Sequence, residues 1–190
     1  MNETLQTILS RRSIRRFEPR QIEEEKLQAI LQAGAFAPSA MNQQSWHFTV
    51  IQNEAVLNKI ISTCKELMMA SDNHAMKERM ADIGARGVNL FYDAPTIIIV
   101  SGNEKNLVPQ IDCSLALENM LLAAHSLGIG SCWLHALVHL YSSEQGKSFL
   151  HAQVGVPEGY AVIGAGAFGY QATEAPKAPS RRENIVTYLR

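Results

Sequence analysis

The chain has 190 residues, 46% hydrophobic and 18% charged, with a formal net charge of −1. Those totals exclude a disordered polymer and give no overall pull toward nucleic acid or an anionic membrane. Three cysteines, Cys64, Cys113 and Cys132, are widely spaced without a CxxC pair, which argues against a disulfide framework or a cysteine-built zinc site. The length suits one domain spanning residues 1–190. Met1 to Arg11 lacks the basic-then-apolar order of a secretory signal, and no apolar run is long enough to span a bilayer. A cytoplasmic location is the expectation.

In chain order, residues 2–10 predict a short helix with Leu5, Ile8 and Leu9 on one face. Arg11-Arg12-Ser13-Ile14-Arg15-Arg16-Phe17 follows, and with Arg20 it places five arginines between positions 11 and 20. Such a run is either a solvated basic surface or an anion site, in which guanidinium forks and the Ser13 hydroxyl contact phosphate oxygens. The aromatic residues are not interleaved with it, as a nucleic-acid surface would require. Glu23-Glu24-Glu25 opens a helix whose Leu27, Ile30, Leu31 and Ala35 share a face, and Pro38 ends it by restricting Ala37.

The stretch Pro38-Ser39-Ala40-Met41-Asn42-Gln43-Gln44-Ser45-Trp46 carries no charge but many neutral donors and acceptors. It reads either as ordinary loop chemistry or as a cover for a flat, neutral heteroaromatic ring. A strand over 47–52 comes next, then a helix capped by Asn53 and striped by Val56, Leu57, Ile60, Ile61, Cys64 and Leu67. Residues 72–91 are mixed, and the polar section 73–79 reads as a lid or an exposed helix. Pro95–Ser101 predicts a strand buried on both faces. Residues 110–127 predict a helix apolar around most of its circumference, which suits a core or a subunit interface. Strands are predicted at 131–134 and 160–168, where small residues of the second would admit another backbone. A short helix is predicted over 142–152, then an extended tail and a last strand at 185–188.

Two motifs are set aside on physical grounds. Gly164, Gly166 and Gly169 spell GxGxxG, but no helix follows to present its N-terminus to a pyrophosphate. His135 and His139 have the spacing of HExxH without its glutamate, so no metal site is assigned.

Taken together, the Arg-Arg-Ser-x-Arg run, the Ala-Pro-Ser-x-x-Asn-x-Gln-x-Trp-x-Phe segment and the C-terminal Gly-Tyr…Pro…Arg-Arg tail resemble the FMN-dependent nitroreductase family. Gly128-Ile129-Gly130 followed by Ser131-Cys132-Trp133 is similar to that family's flavin-edge strand. The similarity spans almost the whole chain, in the family's order. It implies an α+β fold with a central, mostly antiparallel mixed sheet flanked by helices, and a homodimer with exchanged tails and FMN in its interface.

The resemblance further implies that Arg11, Arg12, Ser13 and Arg15 hold the FMN phosphate and ribityl chain, with Arg181 or Arg182 reaching the same phosphate from the tail. Pro38, Ser39, Ala40, Asn42 and Gln44 would line the ring from the partner subunit. Trp133, Leu134, His135 and Ala136 would run along its reactive edge, with the His135 backbone N–H toward flavin N5. No side chain is assigned a catalytic role: NADH or NADPH would reduce the flavin and a nitroaromatic or quinone would oxidise it, in alternation. A reductive dehalogenase or flavin-cleaving enzyme of the same fold is the alternative, and a non-catalytic phosphate- or nucleic-acid-binding module a further one. Two departures from the family carry expectations. Ser45 stands where a proline usually precedes the tryptophan, so a looser loop is expected, and the His135 imidazole is expected to narrow the pocket.

Overall fold

The computed structural model describes residues 1–70, 74–85 and 87–190. At its centre lies β2 (Thr96–Asn103), in which Ile97, Ile98, Ile99 and Val100 have no exposed surface. Such a β-branched run needs cover on both faces. Side-chain alternation sends Ile97 and Ile99 into one core and Ile98 and Val100 into the other. β2 pairs with β1 (Trp46–Ile51) on one side and with β4 (Tyr160–Gly169) on the other, and β3 (Gly130–Leu134) completes the order β1-β2-β4-β3. All three pairings are antiparallel, and a parallel bridge joins Ser13 to Ser131.

Helices cover both faces, giving the expected α+β class. α2 (Glu24–Ala35) and α5 (Pro109–Ser126) pack Leu27, Ile30, Leu117 and Met120 against Ile98, Val100 and Phe168. On the other face α3 (Glu54–Ala70), α6 (Ala136–Tyr141) and α7 (Glu144–Phe149) contribute Leu57, Ile60, Cys64, Leu137, Leu140 and Phe149. α1 (Glu3–Ser10) lies on α5, and α4 (His74–Ala85) on α3. Local chemistry sets the ends: Asn2 Oδ1 accepts from the Leu5 amide at 3.0 Å, and Asn53 Oδ1 from the Val56 amide at 3.1 Å. A π turn over Leu150–Val154 stops at Gly155, whose φ of 87° is left-handed.

Several sequence expectations change here. Section 73–79 falls largely within α4, and its residue 73 lies outside the described residues. The small residues of β4 admit side chains rather than another backbone. A Cβ on Gly164 would lie 2.9 Å from Leu117, and one on Gly166 would lie 2.4 Å from the Phe168 ring. Residues 185–188 form no strand, and Ile185, Val186 and Tyr188 are exposed. No helix among the described residues is long and apolar enough to cross a membrane.

Candidate functional site

The arginine run is seated along the free edge of β3. The Ile14 amide donates to the Ser131 carbonyl at 2.9 Å, extending the Ser13–Ser131 bridge. Farther along, Phe17 bridges to Gln171, the Glu18 amide donates to the Tyr170 carbonyl at 2.8 Å, and the Ala172 amide donates to Arg16 at 3.1 Å. Ile14 and Phe17 are buried anchors, so Arg15 and Arg16 stay outside. The N-terminal segment is thereby clamped between β3 and the root of the C-terminal tail.

Two clefts open on this clamp. Arg12, His125, Ser131 and Gln171 line one of about 170 Å³; Ser13, Arg15, Arg16, Tyr92 and Thr173 line another of about 310 Å³. Arg11 Nε lies 4.0 Å from Glu118, and Arg12 Nη1 donates to the carbonyls of Leu9 and Arg11 at 2.8 and 2.7 Å. The Arg15 guanidinium stands 5.9 Å over the Tyr92 ring. Arg20 leaves the cluster, stacking on the Tyr170 ring at 3.5 Å beside Lys26 and Glu23. The Ser131 hydroxyl is buried without a hydrogen-bond partner among the described residues. A buried orphan hydroxyl in a cleft that Arg12 also lines suits a ligand that brings its own oxygens. His125 shares a 2.8 Å hydrogen bond with Ser10; burial, then the charges of Arg11 and Arg12, hold its pKa below the ordinary 6.5.

The uncharged loop lies elsewhere, on the N-terminal half of α5. Asp112, 1% exposed, accepts the Ala40 amide at 3.0 Å on one carboxylate oxygen and the Ser45 hydroxyl at 2.7 Å on the other. Gln43 Oε1 accepts the Leu107 amide at 2.9 Å, and the Ser45 carbonyl accepts the Asn103 amide at 2.8 Å. Within the loop, Ser39 Oγ accepts the Gln44 amide at 3.0 Å, and Gln44 Nε2 donates to Asn42 at 3.1 Å. Met41, Asn42 and Gln44 have φ of 52°, 53° and 47°. Each left-handed non-glycine residue costs about 1 kcal/mol or more, so these tethers hold a strained shape. Ser45 therefore corrects the expectation of a looser loop: a buried hydrogen bond does the restraining there. Pro38 and Asn42 face outward, with Ser39 and Ala40 half-buried.

The last predicted portion is the end of β3. Leu134 is buried while Trp133 and His135 are exposed, their rings tilted together at 5.6 Å; Ala136 begins α6. Cys113, Ser114, Leu117, Glu118 and Trp133 line an adjoining cleft of about 220 Å³. Burial first, and then the Asp112 charge, push the Cys113 thiol up to about 12, so it is no thiolate nucleophile. Among the described residues, no group of three or more His, Cys, Asp or Glu could hold a metal ion.

The structure thus joins Arg12, Ser13 and Arg15 to the clamp of β3 and the tail root, turns Arg11 toward Glu118 on α5, and places Pro38 to Gln44 on separate ground. Arg181 and Arg182 lie in the exposed tail beyond that root, and among the described residues neither makes an ion pair. Sequence reasoning missed Asp112 and His125, and named Ser131 only as part of the flavin-edge strand. An acid in the first turns of the most apolar helix was the available signal for Asp112.

Fold and site together define a helix-flanked antiparallel sheet with an arginine-lined edge. The Nitroreductase family model matches residues 8–170, and the chain belongs to that family. A nitroreductase from Bacteroides fragilis, solved with bound FMN, superposes with a TM-score of 0.90 at 37% identity, covering 100% of both chains. A protein of Archaeoglobus fulgidus, provisionally named NADH dehydrogenase/NAD(P)H nitroreductase, is 34% identical over 92% of this chain and 88% of its own length. The NADPH-flavin oxidoreductase of Vibrio harveyi is 28% identical over 99% of this chain and 74% of its own.

Proposed function

We propose that this chain is an FMN-dependent oxidoreductase, working as a homodimer, that takes hydride from NADH or NADPH and delivers it to a nitroaromatic or quinone-type acceptor. One observation carries the reading. The arginine–serine segment is clamped along β3, beside an orphan buried hydroxyl, in a chain that matches an FMN-bound nitroreductase over its full length.

Bound FMN supplies the hydride exchange; the chain supplies placement and electrostatics. Arg11, Arg12 and Arg15 would neutralise the phosphate, with Ser13 donating a hydrogen bond and the segment holding the ribityl chain, and Arg181 or Arg182 would close from the tail. Trp133, Leu134, His135 and Ala136 would border the ring, and the His135 amide would be the donor at its edge. The exposed Trp133–His135 pair flanks the space where an aromatic acceptor would stack.

The geometry of α5 supports the dimer. Asp112, which holds the loop, and His125, beside Arg12, are thirteen residues apart, a rise of about 20 Å. Two α5 helices packed antiparallel across a two-fold axis would bring the loop of one chain toward the arginine segment of the other. The outward Ile111 and Leu115, 59% and 41% exposed, are the apolar contacts such a pairing would cover. The exposed apolar tail residues Ile185, Val186 and Tyr188 would likewise find their ladder on the second chain.

The test is a visible spectrum of the purified protein. Flavin absorbance, released as FMN on denaturation and bleached by NADH or NADPH until a quinone or nitroaromatic restores it, is the expected result. Colourless protein that takes up no added FMN would overturn the reading. Turnover confined to a halophenol would instead favour a specialised enzyme of the same fold.

A further inference from the structure

We infer that Asp112 is the positioning residue of the cofactor-covering loop: by clasping Ala40 and Ser45 to α5 it sets the loop's shape before any flavin binds. The inference rests on the cofactor reading above. Its basis is the closure itself. The two donors come from opposite ends of the loop, five residues apart, and each has a carboxylate oxygen to itself. Packing alone does not explain an acid here, since Asp112 shares the buried face of α5 with Cys113, Ala116 and Leu117. A carboxylate is costly to bury unless it is hydrogen-bonded, and here the loop provides the bonds. The segment between them contains three left-handed residues, so its conformation has to be imposed from outside.

The clasp also ties two parts of the proposed site together. Asp112 belongs to the helix assigned to the dimer interface, so the loop's aim at the neighbouring chain is set by α5 rather than by the loop's own preferences. A positioning role therefore predicts effects on flavin affinity and ring environment that a merely stabilising contact would not have.

The variants are Ser45→Ala, Asp112→Ala and Asp112→Asn, each compared with wild type as the full-length protein. Flavin-free protein is titrated with FMN, the visible circular dichroism of the reconstituted flavin is recorded, and exchange of the Ala40 amide is followed without flavin. Ser45→Ala, which removes one hydrogen bond to a charged group, should raise the FMN Kd about tenfold, and Asp112→Ala, which removes both, should raise it further. They should also alter the flavin dichroism and speed Ala40 exchange, with the oligomeric state unchanged. Asp112→Asn keeps an acceptor for the Ala40 amide and a donor for the Ser45 hydroxyl, and should restore most of the affinity. If Asp112→Ala does not fold, Ser45→Ala decides the matter by itself. Wild-type Kd and dichroism in the folded variants, with only the melting temperature lowered, would overturn this proposal alone. A wild-type chain that binds no FMN would overturn the cofactor reading and this proposal together.

Discussion

Ser13 sits where the N-terminal segment meets β3, two residues after Arg11, whose contact to Glu118, 4.0 Å long and partly solvated, adds little to stability. The two residues should therefore be separable from folding. Replacing both with alanine should weaken FMN binding about a hundredfold, roughly tenfold for each lost charge-assisted contact, with little change in melting temperature. Normal flavin content in the double variant would show that the phosphate is held elsewhere. Ser45 teaches a different lesson at this scale. From sequence it reads as a missing proline and a looser loop; in the fold its hydroxyl is buried against Asp112. The partner lies 67 residues away, and nothing local announces it.

At the scale of elements, α5 does three jobs with one helix. Its inner face packs Leu117 and Met120 on the sheet, its N-terminal turns seat the loop, and Ile111 and Leu115 remain uncovered. A helix apolar almost all round has more surface to bury than one chain provides. If the proposed α5 pairing holds, Ile111→Glu together with Leu115→Glu should yield a monomer in light scattering where the wild type is a dimer, and lower flavin content with it. A dimer that persists would move the interface off α5. The strands were the most legible elements, since a continuous β-branched run such as 97–100 has no alternative to burial on both faces. The tail was the least legible: its apolar residues suggested a strand, but they form none and stay exposed.

Across the whole molecule, the two termini cooperate at one edge of the sheet, and His125 lies at that junction. The unfolded chain protonates this histidine near its ordinary 6.5, whereas the folded chain resists until lower pH. Stability therefore falls as pH drops through 6.5 and levels off once folded His125 also takes a proton. Melting temperatures between about pH 7.5 and 5 should fall on the acid side, and His125→Gln should flatten that slope. A slope unchanged in the variant would assign it to other groups. The sequence by itself determined the four strands of the sheet and the longer helices, the arginine segment and the uncharged loop, because periodicity and composition are properties of neighbouring residues. Only the tertiary structure decided that the arginines line the edge of β3 and that a buried carboxylate on α5 clasps the loop. Both are pairings between residues distant in the chain, chosen by how the sheet and its covering helices close around two cores.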